Sequence, residues 1–148
     1  MAKILVVEDN ALNIKLFCDL LAAHGHEPEA VTDSREALET ARAFKPDLVI
    51  TDIQLPHVTG IELMEMIRKD EELACVPIMA VTAYSGVGDD ERIRAAGAQA
   101  YVAKPISVMR FAETVDRLLE DGPVGSNEKG GPDTGAAPEE SGPDSDPA

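Results

Sequence analysis

The sequence has no tryptophan and only 3% aromatic residues, so any core must be built from aliphatic side chains. It has two cysteines, Cys18 and Cys75, whose separation gives neither a disulfide framework nor metal-ligand spacing, and we expect two reduced, partly buried thiols. No apolar run approaches the ~20 residues that span a bilayer, and no signal-peptide pattern opens the chain. These absences predict a cytoplasmic protein.

Positive charge is also scarce. The 148 residues include 13 basic and 28 acidic side chains, which gives a formal net charge of -15. The phosphates of nucleic acid and the surface of an anionic membrane would both repel such a protein. We therefore expect neither nucleic acid nor a membrane among its partners.

The composition changes near Glu120. Residues 121–148 contain six of the eleven glycines, five of the ten prolines and no apolar side chain larger than valine. Such a segment buries too little apolar surface to offset the entropy lost on ordering. The sequence therefore predicts a folded domain over residues 1–120 and a disordered Gly/Pro/acidic tail over residues 121–148.

Four short, largely aliphatic runs and a weaker strand signal alternate with five stretches of helical spacing in the first 120 residues. The predicted strands are 4–7, 27–31, 48–51, 78–81 and 100–103. Pro28 indicates an edge strand, residues 33–36 are typical of a capping box, and Ser107 is expected to cap the last helix. Strands and helices that alternate through short connections predict an α/β fold, with a parallel sheet covered by helices on both faces.

Polar side chains follow four of the five predicted strands. They are Glu8 and Asp9 after the first strand, Asp52 after the third, Thr82 at the end of the fourth and Lys104 after the fifth. The carboxyl ends of parallel strands share one edge of the sheet, where ligands bind in such folds. We therefore expect three carboxylates, a hydroxyl and an ammonium group to meet in one crevice.

This combination predicts phosphoryl chemistry. Converging carboxylates raise one another's pKa unless a cation neutralises them, and their oxygens suit Mg²⁺, with Mn²⁺ as an alternative. A carboxylate in such a site can attack a phosphoryl group and form an aspartyl phosphate, while the metal and Lys104 supply positive charge. Each residue alone has a plainer explanation, such as a helix cap for Asp9 or a turn for Lys104. The prediction of phosphoryl chemistry therefore depends on all of these residues occurring together at the strand ends.

Four stretches resemble the receiver domain of bacterial response regulators, in the CheY-like superfamily. They are residues 6–10, 46–56, 81–83 and 104–106. The resemblance covers about residues 3–120 and implies a flavodoxin-like, doubly wound (βα)5 fold whose five-stranded parallel sheet has the order 2-1-3-4-5. Further matches at 12–13, 15–17, 91–94 and 104–108 are similar to the DivK-type single-domain response regulators, which act in polarity and cell-cycle phosphorelays.

The resemblance implies roles for the acidic residues. Asp52 matches the phosphoacceptor of the family. The implied Mg²⁺ ligands are Asp9, Asp52 and the backbone carbonyl of Gln54, and Glu8 would hold the ion indirectly through a water molecule.

The resemblance also implies how the phosphoryl group is sensed. Thr82 and Lys104 would contact it, and Tyr101 matches the aromatic residue whose ring turns inward when Thr82 moves. The peptide between Lys104 and Pro105 would be cis. Gln54 and Tyr84 flank the crevice and are candidates for tuning dephosphorylation.

The resemblance implies a stand-alone response regulator of a two-component system. It would accept the phosphoryl group from a phosphohistidine of a sensor histidine kinase or a histidine phosphotransferase. It would then bind a regulated partner kinase or adaptor through helix four, strand five and helix five. Helix one, around Asn13 and Leu16, would dock the phosphodonor. The protein would catalyse only its own phosphorylation and dephosphorylation, and so would not be an enzyme in the usual sense.

Three alternatives stay open. A phosphorelay shuttle would use the same chemistry and return the phosphoryl group to a histidine phosphotransferase. A phosphohydrolase with an aspartate nucleophile is disfavoured, because the haloacid dehalogenase family has a second Asp where this chain has Gln54. A flavodoxin-like cofactor binder is disfavoured because no Gly-rich or Ser/Thr-rich phosphate loop is present.

Overall fold

The structure is a computed structural model that describes residues 2–83, 89–104 and 106–122, with only the backbone of residues 89 and 90. In these ranges five helices and five strands alternate. They are β1 (Lys3–Val7), α1 (Ala11–Ala23), β2 (Glu27–Val31), α2 (Ala37–Phe44), β3 (Leu48–Asp52), α3 (Gly60–Lys69), β4 (Ile78–Thr82), α4 (Asp89–Ala96), β5 (Ala100–Ala103) and α5 (Val108–Asp121). All strand pairs are parallel and the order is β2-β1-β3-β4-β5, which confirms the predicted fold.

The aliphatic strands hold the fold together by burying side chains on both faces of the sheet. Successive residues of a strand point to opposite faces, so Leu5 belongs to one core cluster while Ile4 belongs to the other. In the cluster that contains Ile4, the rings of Phe17 (α1) and Phe111 (α5) stack with their centroids 5.2 Å apart. Each fully buried side chain of this size contributes about 1.5–3 kcal/mol, which explains a stable core without tryptophan.

Strand β2 lies at an open edge of the sheet, as Pro28 predicts. The side chains of Glu27 and Glu29 are exposed along it, and Pro28 has no amide hydrogen. The strand pairs with β1 from Lys3↔Glu27 to Val7↔Val31. The edge is therefore short, charged and interrupted by proline.

The predicted capping box at residues 33–36 is wrong. These residues form a single 3-10 turn, Ser34–Glu36, before α2. The guanidinium group of Arg35 donates two hydrogen bonds to the Asp33 carboxylate, at 3.1 and 2.9 Å. The same carboxylate also accepts a hydrogen bond from the backbone amide of Arg35. Glu36, at the start of α2, caps nothing with its side chain. At the other predicted cap, Ser107 accepts from the Arg110 amide, which confirms that prediction.

Helix α5 continues through Asp121, the first residue of the predicted tail. Residues 123–148 lie outside the described residues, so the disorder of the tail stays a prediction.

Cys18 is half-buried as expected, whereas Cys75 is exposed because it lies in the turn between α3 and β4. Among the described helices, none has the length and apolar character needed to cross a bilayer.

Candidate functional site

The structure brings three carboxylates together at the carboxyl edge of the sheet. Glu8 follows β1, and Asp52 ends the neighbouring strand β3, where Val7 pairs with Thr51. One carboxylate oxygen each from Glu8, Asp9 and Asp52 lies within 4.8 Å of the other two. Glu8 and Asp52 are 1% and 5% exposed, whereas Asp9 is open to solvent. The cluster is therefore closed on the protein side and accessible from one direction.

Lys104 brings a positive charge to this cluster. Its ammonium nitrogen donates to Asp52 Oδ2 at 2.8 Å and lies 3.9 Å from Glu8 Oε1. Its backbone amide donates to the carbonyl oxygen of Thr82 at 2.7 Å, which continues the pairing of β4 with β5 beyond Thr82↔Ala103. Thr82 is buried at the same edge. The two predicted phosphoryl-contacting residues are thus joined to each other and, through Lys104, to Asp52.

Both carboxylate oxygens of Asp52 have a donor. Oδ2 accepts from Lys104, and Oδ1 accepts from the backbone amide of Gln54 at 3.2 Å. The next residue, Ile53, donates its amide to the Val81 carbonyl at 3.0 Å. The side chain of Asp52 is therefore held in one orientation by an ammonium group and a backbone amide.

Glu8 is the electrostatically strained member of the cluster. Burial, and next the nearby charge of Asp52, raise the pKa of Glu8 from 4.5 to about 7, although the Asn10 amide opposes this by donating to Oε2 at 3.1 Å. The other oxygen, Oε1, is buried without a hydrogen-bond partner. A buried carboxylate oxygen with no donor, beside two more carboxylates, is a site that suits a small divalent cation.

The cluster therefore fits Mg²⁺ by the chemistry of its donors. Asp9 and Asp52 would hold the ion directly and Glu8 is close enough to hold it through water, all with the oxygen ligands that hard cations prefer. The side chain of Gln54 is exposed beside Asp52, and the role of its carbonyl as a ligand stays a prediction.

The remaining predicted site residues have different outcomes. Tyr101 lies half-buried in β5, opposite Ala80 of β4, and the Arg94 guanidinium carbon is 5.8 Å from the centre of its ring. Tyr84 and Pro105 lie outside the described residues, so the tuning role and the cis peptide stay predictions.

The sequence predictions do not include the cap that begins α3, directly after the site. Thr59 accepts from the Glu62 amide at 3.2 Å while Glu62 accepts from the Thr59 amide at 3.0 Å, which makes a capping box. At Gly60, an added Cβ would overlap the carbonyl oxygen of Asp52. The spacing Thr-x-x-Glu would have revealed the box. No sequence pattern would have revealed the close approach.

Comparisons with known proteins agree with this geometry. The family model for the response regulator receiver domain matches residues 4–116. The polar-differentiation response regulator DivK of Brucella anthropi is 49% identical over 118 residues, which covers 80% of this chain and 96% of that protein. DivK of Brucella ovis is 50% identical over the same length and coverage.

Solved structures show the same fold. The chemotaxis protein CheY4 of Vibrio cholerae superposes with a TM-score of 0.76 at 29% identity, covering 80% of this chain and 98% of that one. The receiver domain of the sensor histidine kinase PA1611 of Pseudomonas aeruginosa has a TM-score of 0.74 at 31% identity, with the same coverage. That structure holds a magnesium ion in its active-site cleft.

Proposed function

Because this chain belongs to the response regulator receiver domain family, we propose that Asp52 is the residue that accepts the phosphoryl group. The observation that carries this proposal is the arrangement of Asp52 itself. It is a buried carboxylate, oriented through both oxygens, beside an ammonium group and two further carboxylates. An aspartate with a purely structural role would need only its hydrogen bonds. Asp52 also lies beside the ammonium group of Lys104 and within a cluster of carboxylates that suits a cation.

The proposed reaction is the transfer of a phosphoryl group from a phosphohistidine to Asp52. A carboxylate oxygen of Asp52 attacks phosphorus, and an oxygen–phosphorus bond forms while the nitrogen–phosphorus bond of the donor breaks. The bonding electron pair returns to the imidazole nitrogen, which takes up a proton from solvent. The product is an acyl phosphate on Asp52, and no oxidant or reductant is required.

The residues around Asp52 would neutralise the negative charge of the phosphoryl group and orient that group for the reaction. Lys104, already 2.8 Å from Asp52 Oδ2, stabilises negative charge as it develops on the phosphoryl oxygens. Thr82, buried at the end of the adjacent strand, would donate its hydroxyl to the phosphoryl group. Mg²⁺, when bound by Asp9 and Asp52, would supply the positive charge that lets phosphate and carboxylates share one crevice.

We propose that the phosphodonor docks on an apolar patch formed by Leu12, Leu16, Val108 and Met109. Leu12 and Met109 are 79% and 72% exposed, and the other two are also exposed. The patch lies at the starts of α1 and α5, which begin at the same sheet edge as the site. A histidine-bearing helix seated on this patch would present its phosphohistidine to Asp52. Exposed apolar side chains that lie together, rather than singly, are typical of interaction surfaces.

The output follows from the added charge. A phosphoryl group adds nearly two negative charges beside Lys104 and Thr82, and Tyr101, half-buried in β5, would respond by turning inward. The surface of α4, β5 and α5 would then bind a partner kinase or adaptor in one state only. The protein would act in the cytoplasm and catalyse only its own phosphorylation and dephosphorylation.

Phosphorylation by acetyl phosphate tests the proposal. We expect the intact protein to gain the mass of one phosphoryl group with Mg²⁺ and none with EDTA. Asp52→Asn should gain none, while Asp19→Asn, the same change at an exposed residue of α1, should behave as the wild type. Phosphorylation of Asp52→Asn at the wild-type rate would refute the assignment.

Two further measurements test docking and output. Leu12→Ser should slow transfer from a phosphorylated histidine phosphotransferase domain and leave the reaction with acetyl phosphate unchanged. Partner capture by the phosphorylated and unphosphorylated forms separates a regulator from a phosphorelay shuttle, because a shuttle needs no partner that binds one state only.

A further inference from the structure

The loop between β3 and α3 contains a strained residue. His57 has φ of +70°, in the left-handed region that non-glycine residues rarely adopt. Among the described residues the other non-glycine residue of this kind is Lys45, which ends α2 as a left-handed C-cap, where such a conformation is common. His57 ends no helix. Contacts from elsewhere must therefore hold its turn in place.

Ser34 makes contacts on both sides of this turn. Its hydroxyl donates to the carbonyl oxygen of Pro56 at 2.8 Å and accepts from the amide of Val58 at 3.2 Å. Ser34 is 2% exposed and comes from the 3-10 turn after β2, 22 and 24 residues away from its two partners. Water cannot readily replace a hydroxyl buried to this degree, so the turn depends on this side chain.

The same loop orients Asp52 at its other end. The Gln54 amide donates to Asp52 Oδ1, and the amide of Gly60 donates to the Ile53 carbonyl at 2.9 Å. The base of the loop is thus closed against the end of β3, where Gly60 leaves no room for a side chain. A shift of the turn at His57 moves the chain that carries the Gln54 amide, and with it the Asp52 carboxylate.

We propose that Ser34 is a positioning residue of the phosphoacceptor site, holding the strained turn at His57 and through it the loop that orients Asp52. This inference rests on the proposed function of Asp52. It assigns Ser34 no contact with the phosphoryl group or the cation. Misplacing a reacting group by about 1 Å can slow a reaction by about 10²-fold.

Ser34→Ala tests the inference. With saturating Mg²⁺ and acetyl phosphate, we expect phosphorylation about tenfold slower than in the wild type. The amide resonance of Gln54 should also shift in the unphosphorylated protein. The control is Ile4→Val, which loosens the core at the far end of β1 and should leave both measurements unchanged. Ser34→Cys, studied under reducing conditions, keeps nearly the same shape with a weaker hydrogen-bonding group and should give a smaller loss, which serves if the alanine variant does not fold.

The variant His57→Gly tests whether Ser34 affects Asp52 through the turn at His57. Glycine adopts positive φ without strain, so the contacts of Ser34 no longer have to offset the strain of the turn. Ser34→Ala in this background should slow the reaction clearly less than it does in the wild type. An undiminished loss there, or a wild-type rate for Ser34→Ala alone, would overturn the inference while the role of Asp52 stands. Failure of the wild-type protein to become phosphorylated would instead remove the proposed function and this inference with it.

Discussion

Glu8→Gln should stabilise the cation-free protein at neutral and alkaline pH. The pKa of Glu8 is raised from 4.5 to about 7 by burial and by the charge of Asp52, so the folded state holds this proton more tightly than the unfolded state. The stability that the proton provides is complete below pH 4.5 and is lost as the pH rises through 7. Glutamine has no proton to lose at this position.

The size of the effect follows from the two pKa values. Each tenfold change in proton affinity corresponds to about 1.4 kcal/mol, so ionising Glu8 in the fold costs on the order of 3 kcal/mol, most of it between pH 5 and pH 8. The wild type should lose this amount relative to Glu8→Gln over that interval. Added Mg²⁺ should close the gap, because the cation binds and neutralises the wild-type cluster more strongly.

Urea unfolding in EDTA, followed by far-UV circular dichroism because tryptophan is absent, measures the difference. The wild type and Glu8→Gln are compared at several pH values, which cancels the titration of the other acids. Glu65→Gln, the same change at an exposed site on α3, serves as the control. Parallel stability profiles for the wild type and Glu8→Gln would refute the conclusion that Glu8 is strained by burial.

Three further changes test other parts of the site. Lys104→Met removes the ammonium group 2.8 Å from Asp52, and we expect phosphorylation by acetyl phosphate to slow by about 10²-fold or more, measured as initial rates. Gly60→Ala forces a methyl group against the Asp52 carbonyl and should lower the free energy of unfolding in urea by about 1–3 kcal/mol. Thr59→Ala removes the cap of α3 and should cost about 1 kcal/mol, seen as a lower melting temperature; unchanged melting would show that the capping box contributes nothing.

The architecture and the meeting of the site residues could be predicted because both follow from local pattern. Buried parallel strands are continuous aliphatic runs, and the residue after each run must lie at one edge of the sheet. Glu8, Asp52 and Lys104 were found in this way. The resemblance to receiver domains then supplied the roles and the strand order, which alternation alone does not determine.

The failures come from contacts between distant parts of the chain or from competing partners. Asp33 and Glu36 have the spacing of a capping box, but the adjacent guanidinium group of Arg35 binds the Asp33 carboxylate instead. The contacts of Ser34 span more than twenty residues and leave no periodic trace.

The contacts of the half-buried Arg68 side chain also could not be predicted from the sequence. Its guanidinium group donates to the carbonyl oxygens of Ala74, Val76 and Gly97 and to the side chain of Gln99, and so ties α3 to the turns that flank β4 and β5. A lone arginine within an amphipathic helix suggests an exposed side chain rather than this one. Only the folded chain reveals which carbonyl groups need a donor.

The outer strand β2 has a consequence for how the molecules behave in crowded solution. Two copies that meet side by side along this strand bring the carboxylates of Glu27 and Glu29 against their counterparts, and Pro28 has no N–H to share. Joining two sheets into one would therefore require bringing like charges together for an incomplete set of bonds. This strand therefore discourages the intermolecular β-pairing that leads to aggregation.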